Sequence, residues 1–169
     1  MITFHEEPLT QAELLSEYRL VRSQGLPYLV AVDPSTAAIL GYANAHPFRS
    51  RAAYRFSVEL SLFCHPDHAG KGIGGRLLET LVDVMKQPAK YSELLALPPG
   101  QEPREVKQAL AVMSVDEMGK RNGLALKEFY EKHGFELRAH LKGIGYKFGR
   151  WYVPGRPVLE RLTPHGVPG

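Results

Sequence analysis

A chain of 169 residues has the length of one domain, enough to bury about two-thirds of its unfolded surface around a hydrophobic core. Apolar content of 44% and charged content of 23% are those of a folded globular protein, and no apolar stretch approaches the roughly 20 residues of a membrane-spanning helix. The net charge of +3 and isoelectric point near 9.0, without a run of Lys or Arg, suit a small anionic ligand and are too diffuse to argue for nucleic acid. The single cysteine, Cys64, rules out an internal disulfide and fits a reducing compartment. The first ten residues are too acidic and polar for a signal or transit peptide, so the cytoplasm is expected.

Thr10-Gln11-Ala12-Glu13 has the capping-box pattern, and it opens a helix carrying Leu14, Leu15, Tyr18 and Val21 that stops at Gly25. Residues 28–32 and 39–45 read as two strands joined by the turn Asp33-Pro34-Ser35, and 46–54 as a loop. Phe56, Val58, Leu60, Leu62 and Cys64 then alternate with Ser57, Glu59, Ser61 and Phe63, the period of a strand. From Leu77 the apolar residues Leu78, Leu81, Val82 and Met85 follow at helical spacing. Residues 87–104 form a proline-bearing insert in which Leu94, Leu95 and Leu97 are expected to dock on the core. Residues 106–115 have the near-continuous apolar character of a strand buried on both faces. Asn122-Gly123 precedes a helix with an apolar stripe of Leu126, Phe129, Tyr130 and His133, closed by Gly134. Residues 135–141 alternate as a strand, 143–152 read as a glycine-punctuated turn followed by aromatics, and the prolines at 154 and 157 reduce any last strand to a short edge piece over 158–162. The order is α-β-β-β-α-β-α-β, an α/β sandwich around a mixed sheet in a single domain spanning 1–169.

Between the central strand and helix lies Gly70-Lys71-Gly72-Ile73-Gly74-Gly75. Four glycines in six residues let a ligand approach bare backbone, and a helix start behind them presents unpaired N–H groups and the positive end of its dipole. This is a site for phosphate or pyrophosphate, with Lys71 and Arg76 adding positive charge. A P-loop needs Ser or Thr after Gly-Lys, and Gly72 stands there. A dinucleotide fingerprint is literally present at Gly70, Gly72 and Gly75. It should follow its strand directly, but His65-Pro66-Asp67-His68-Ala69 intervene, and the acidic residue expected about 20 positions on falls in the 97–100 loop.

The third pattern, strand, Pro-containing turn, x-G-K-G-I-G and a helix, resembles motif A of the GNAT N-acetyltransferases, and other blocks extend the likeness. They are F-x-x-E-P at 4–8, G-Y-A at 41–43, P-F-R-x-R-x-A-Y at 47–54, V-E-x-S-x-x-x-x-P at 58–66, G-x-G at 72–74, Y-E-x-x-G-F at 130–135 and G-Y-K-x-G-x-W at 145–151. Seven blocks in order identify the chain as similar to the phosphinothricin N-acetyltransferase-like branch of that family, over nearly all of it to Trp151. The resemblance implies the GNAT acyl-CoA N-acyltransferase fold, acetyl-CoA as cosubstrate, and direct transfer to the amino group of a small amino-acid-like acceptor, with no nucleic acid or membrane as partner. Family members carry a strand and a helix ahead of the block at 4–8, where this chain has three residues, so the sheet is expected to lack its first strand and helix. A bare sheet edge favours a homodimer. Ala69 stands where motif A usually has Arg or Gln, and Val153 where Asp commonly follows W-x. These departures leave a truncated acyl-CoA-binding module with weak turnover as the alternative, with a dinucleotide-dependent oxidoreductase ranked behind both.

Transfer from a thioester to an amine needs a neutral amine, a held oxyanion and a protonated leaving thiolate. Glu59 falls, by resemblance, at the family's catalytic glutamate, a general base acting through a water; otherwise it is a solvated or Arg-paired strand residue. Tyr130 falls where related enzymes place a general acid beside the sulfur, and it is equally placed to be a core tyrosine. The backbone of Leu62, Phe63 and Cys64 is where the family hydrogen-bonds pantetheine, and the amides of Gly70, Lys71, Gly72, Ile73, Gly74, Gly75 and Arg76 are where it holds the pyrophosphate. Arg49, Arg51 and Tyr54 occupy the loop that, by resemblance, contacts the acceptor's acidic groups, a task suited to guanidinium, and otherwise they are solvated loop residues. His65 and His68 lie near Asp67, but no compact set completes four ligands, so no metal is expected.

Overall fold

The structure is a computed structural model that describes residues 7–113, 124–141, 145–147, 150–152 and 156–162. Helix α1 spans Gln11–Ser23, and its N-terminus closes as the sequence predicts. The Thr10 hydroxyl accepts from the Glu13 amide at 3.3 Å, and the Glu13 carboxylate accepts from the Thr10 amide at 2.8 Å. Strands β1 (Tyr28–Val32) and β2 (Ile39–Pro47) form the expected hairpin, its turn held by the Asp33 carboxylate accepting from the amides of Ser35 and Thr36. Strand β3 (Ser57–Cys64) follows, then α2 (Ile73–Lys86), a short α3 (Ser92–Leu95), β4 (Gln108–Val112), α4 (Ala125–Lys132), β5 (Glu136–Leu141), β6 (Gly145–Lys147), β7 (Arg150–Tyr152) and β8 (Arg156–Leu162).

Six strands form one mixed sheet in the order β1-β2-β3-β4-β8-β5, antiparallel except between β3 and β4, and β6 pairs with β7 as a separate ribbon. The α/β sandwich expected from the sequence is therefore the observed architecture. One face carries Leu29, Ala43, Ala45, Val58, Leu60, Ala109, Ala111 and Leu159, all buried, against Leu77, Leu78, Leu81, Val82 and Met85 of α2. Each of the buried Val, Leu and Met side chains contributes roughly 1.5–3 kcal/mol by leaving water, before entropy is counted. The opposite face carries α1 and an aromatic row, Tyr18 against Tyr28, Tyr28 stacked on Tyr42, and Tyr42 on Phe63, with centroids 5.3, 5.7 and 4.9 Å apart.

Several expectations need correction. The last strand is not an edge piece, because β8 lies between β4 and β5. Pro157 does not block this, since the β4 ladder ends at Val112↔Val158 and Pro157 faces only β5, so its missing N–H falls at a strand end. The central helix begins at Ile73, four residues before Leu77. The insert at 87–104 is not structureless: it holds a 3-10 turn at Pro88–Tyr91 and then α3, whose Leu95 is buried while Leu94 is exposed. In α4 the stripe is narrower than predicted, because Leu126 is exposed and Tyr130 is the buried residue. On β4 only Ala109 and Ala111 are fully buried, so one face is packed and the other half-covered. Asn122-Gly123 and Val153 lie outside the described residues.

Candidate active site

The site is built where β3 and β4 part. Their parallel ladder is three pairs long, 57–59 against 108–110, after which β4 continues with β8 and β3 with β2. From Leu60 to Cys64, the β4-facing edge of β3 has no ladder partner among the described residues. Parallel strands that diverge in this way leave a wedge whose wall is a row of free N–H and C=O groups, able to accept an extended chain as a further strand. The wedge opens toward the C-terminal ends of the strands, where β3 runs through the 3-10 turn at Pro66–His68 into the start of α2.

That helix start is free for a ligand. Gly72 is the N-cap at φ +78°, no side chain caps the first turn, and no acidic residue lies in it. A Cβ placed on Gly70 (φ +79°) or Gly72 would meet nothing within 4 Å, so the loop backbone there is bare on its Cα side. Gly74 and Gly75 work differently: they belong to α2, and a Cβ on Gly74 would stand 3.3 Å from Cys64 Sγ and 3.8 Å from Phe129 Cζ. On Gly75 it would stand 3.1 Å from His133 Nε2. These two glycines let α4 close over the helix start, and the ring of His133, bonded through Nδ1 to the Phe129 carbonyl at 2.7 Å, fixes that contact. Ile73 is half-buried against the core, while Lys71 and Arg76 are exposed. The Lys71 ammonium meets His68 Nδ1 at 3.1 Å, which ties the loop cation to the turn before it. Replacing Gly72 by alanine is expected to cost roughly 1–2 kcal/mol from the left-handed φ alone, read as a lower thermal midpoint, without steric clash.

Tyr130 approaches the wedge from the α2 side of the sheet. It is 5% exposed and packs edge-on against Phe129 and Phe135, so it is a core tyrosine whatever else it does. Burial, with the neighbouring Cys64 thiol adding to it, pushes its phenol up to about 12 and keeps the hydroxyl protonated. Burial also raises the Cys64 thiol, which suits an inert thiol rather than a nucleophile. Leu62 and Cys64 point toward α2, and Phe63 toward the aromatic row.

Glu59 stands on the other face of β3, half-buried between Val58 and Leu60, which are both buried on the α2 side. Its cross-strand partner is His46 of β2. Directly opposed residues share a face, so His46 and Glu59 project side by side, with Cβ atoms about 4.5–5.5 Å apart. The sequence reading missed His46, which it left in a loop; projecting β2 two residues beyond Ala45 would have set it against Glu59. Arg49, Arg51 and Tyr54 follow β2 on an exposed turn. Arg49 lies 4.5 Å above the Phe48 ring and donates to the Phe48 carbonyl, while Tyr54 packs edge-on to the same ring. The structure thus brings Leu62, Cys64, Gly74 and Tyr130 together, sets Glu59 across the sheet from them, and leaves the arginines at the rim. A separate cavity of about 670 Å³, lined by Met85, Leu95, Leu97 and Arg104 among others, lies at the far end of α2, roughly 20 Å from Gly72.

A mixed sheet split between two parallel strands, with an uncapped helix N-terminus at the mouth of the split, is an arrangement able to accept an extended, anion-bearing ligand. The Acetyltransferase (GNAT) domain matches residues 24–137, and the chain belongs to that family. Phosphinothricin N-acetyltransferase of Alcaligenes faecalis is 34% identical over 149 residues, 88% of this chain and 64% of that protein. L-methionine sulfoximine/L-methionine sulfone acetyltransferase of Salmonella typhimurium is 29% identical over 86% of this chain and 71% of that protein. Among solved structures, a phosphinothricin acetyltransferase from Sinorhizobium meliloti in complex with AcCoA superposes with a TM-score of 0.73 at 32% identity, covering 98% of this chain and 76% of that one. The chain therefore spans 64% of the length of the Alcaligenes protein.

Proposed function

We propose that the chain is an acetyl-CoA-dependent N-acetyltransferase that acts by direct transfer on the amino group of a small amino-acid-like acceptor, of the phosphinothricin or methionine-sulfoximine type. The observation that carries this reading is the β4-facing edge of β3 from Leu60 to Cys64, without a ladder partner among the described residues, leading into the bare backbone at Gly70 and Gly72. The relatives named for phosphinothricin and methionine sulfoximine support the acceptor class.

Acetyl-CoA supplies an acetyl group activated as a thioester. The amides of residues 70–76, with Lys71 and Arg76 beside them, hold its diphosphate. The backbone of Leu62, Phe63 and Cys64 hydrogen-bonds the pantetheine arm as an added strand. Glu59 takes the proton of the acceptor ammonium through a water, freeing the lone pair for attack. Tyr130, which stays protonated, donates to the departing sulfur. Arg49, Arg51 and Tyr54 hold the acid groups of the acceptor, a rim position that suits a charged, hydrated ligand. We read residues 1–169 as one such domain, cytoplasmic, binding neither nucleic acid nor membrane. We also read it as a homodimer, supported by the exposed Val30, Val32 and Ile39 along the outer hairpin.

Thiol release from acetyl-CoA by the purified chain, run with a panel of amino acids that includes both analogues, tests the reading. Acceptor-dependent release supports it. Acetyl-CoA binding without release for any acceptor would instead leave an acyl-CoA-binding module.

A further inference from the structure

On the α1 face of the sheet, Glu59, His46 and Glu17 form a line from the middle of the sheet to solvent. His46 stands opposite Glu59 in the β2–β3 register, and its Nε2 lies 3.1 Å from Glu17 Oε1 on α1. The side chains of His46 and Glu17 are 24% and 30% exposed, so both are half-buried and both still reach solvent. With Nε2 donating to the Glu17 carboxylate, Nδ1 is left as the acceptor of the ring. Two residues along β2 on the same face, the buried Asn44 side chain has an Oδ1 with no hydrogen-bond partner, an acceptor in want of a donor beside the same row.

We propose that His46 is a proton-relay and positioning residue, carrying the proton that Glu59 takes from the acceptor ammonium onward to Glu17 and to water. The inference rests on the transferase reading above. Without an exit, a half-buried Glu59 that has been protonated must wait for bulk water to reset it before the next turnover. The balance is simple: the ammonium loses one proton to Glu59, Glu59 passes it to His46 Nδ1, and Nε2 releases one to the Glu17 carboxylate. Glu17 then gives it to solvent, and the ring, left with its proton on Nδ1, regains the Nε2–H form by losing that proton to water and taking one at Nε2 before the next turnover. No electron changes hands.

The charges around the ring set the sign of the pH dependence. Glu17 faces it from α1 and Glu59 from β3. Further along the face stand Tyr28 of β1, pushed up to about 12 by burial, and Tyr42 of β2, also raised by burial. The turn after β2 carries Arg49, Arg51 and Arg55. Burial lowers the His46 imidazole below its usual value, and Glu17 opposes part of that. The ring is therefore neutral and ready to accept at neutral pH, and it is charged and blocked in acid.

The test uses the whole chain and its Glu17→Gln, His46→Gln and Glu59→Gln variants, each checked for a wild-type circular dichroism spectrum. Imidazole ¹H–¹⁵N spectra are followed through pH without substrate. The His46 titration is expected to move to lower pH in both carboxylate variants, since each removes a negative neighbour. In turnover, His46→Gln is expected to lower kcat by about 10- to 100-fold with the KM for acetyl-CoA within about twofold. The acidic limb of the Glu17→Gln profile is expected to move to lower pH with the histidine. A His46 titration unmoved by Glu59→Gln, or a His46→Gln enzyme with wild-type kcat and acidic limb, would overturn the relay. A silent acceptor panel with the titration still coupled to both carboxylates would count against the transferase reading, and loss of coupling with turnover intact against the relay alone.

Discussion

Replacing Glu59 by glutamine is expected to lower kcat by about 10²- to 10⁴-fold while leaving the fold and the KM for acetyl-CoA close to wild type. Glutamine keeps the size and hydrogen-bonding reach of the side chain and loses only the capacity to take a proton. Mid-strand, beside the buried Val58 and Leu60, a carboxylate is costly to keep unless something uses it. In the proposed mechanism the acceptor amine is charged at neutral pH, so removing the base would stop the reaction at its first proton transfer. Steady-state rates with a saturating acceptor, together with a thermal midpoint for the variant, separate this loss from misfolding. Unchanged turnover would take Glu59 out of the mechanism.

The largest expected loss of stability comes from Leu81→Ala, at about 2–5 kcal/mol. Leu81 is 0% exposed and sits in the buried face of α2, which packs across β1, β2 and β3. Truncation forfeits the transfer of its methyl groups and leaves a void in a close-packed core whose surrounding structure relaxes only in part. For a domain of this size the thermal midpoint is expected to fall by roughly 4–20 °C. Since α2 also carries the amides at its N-terminus, acetyl-CoA, if it binds there, is expected to raise the midpoint of the variant as it does that of the wild type. Calorimetric scans with and without ligand read both effects.

Local signals reported the hairpin, the capped first helix and the strand–glycine–helix unit, because each rests on short-range chemistry. Thr10 and Glu13 are three residues apart, and the Asp33 turn closes within four. The misplaced features were set by partners distant in sequence. Pro157 reads as an edge residue, and only the length of the β4 ladder shows why it is tolerated beside an interior position. Gly74 and Gly75 carry a helix penalty of about 1 kcal/mol each, which put the predicted helix start at Leu77. Contacts with Cys64, Phe129 and His133, which need bare backbone there, hold them helical. The glycines therefore divide into two that border open space and two that face the protein, a distinction composition alone does not carry. His46 went unnoticed because nothing beside it in sequence is unusual; its meaning lies in register with Glu59 and in Glu17 from another element.

The central claim is that the amides at the start of α2 grip the diphosphate of the cosubstrate. Titration calorimetry of the purified chain with acetyl-CoA and with acetyl-pantetheine, which shares the thioester arm and lacks the diphosphate, tests it directly. The account predicts one acetyl-CoA per chain and acetyl-pantetheine weaker by at least about 100-fold, close to 3 kcal/mol. Equal affinity for the two, or no binding of acetyl-CoA, would contradict it.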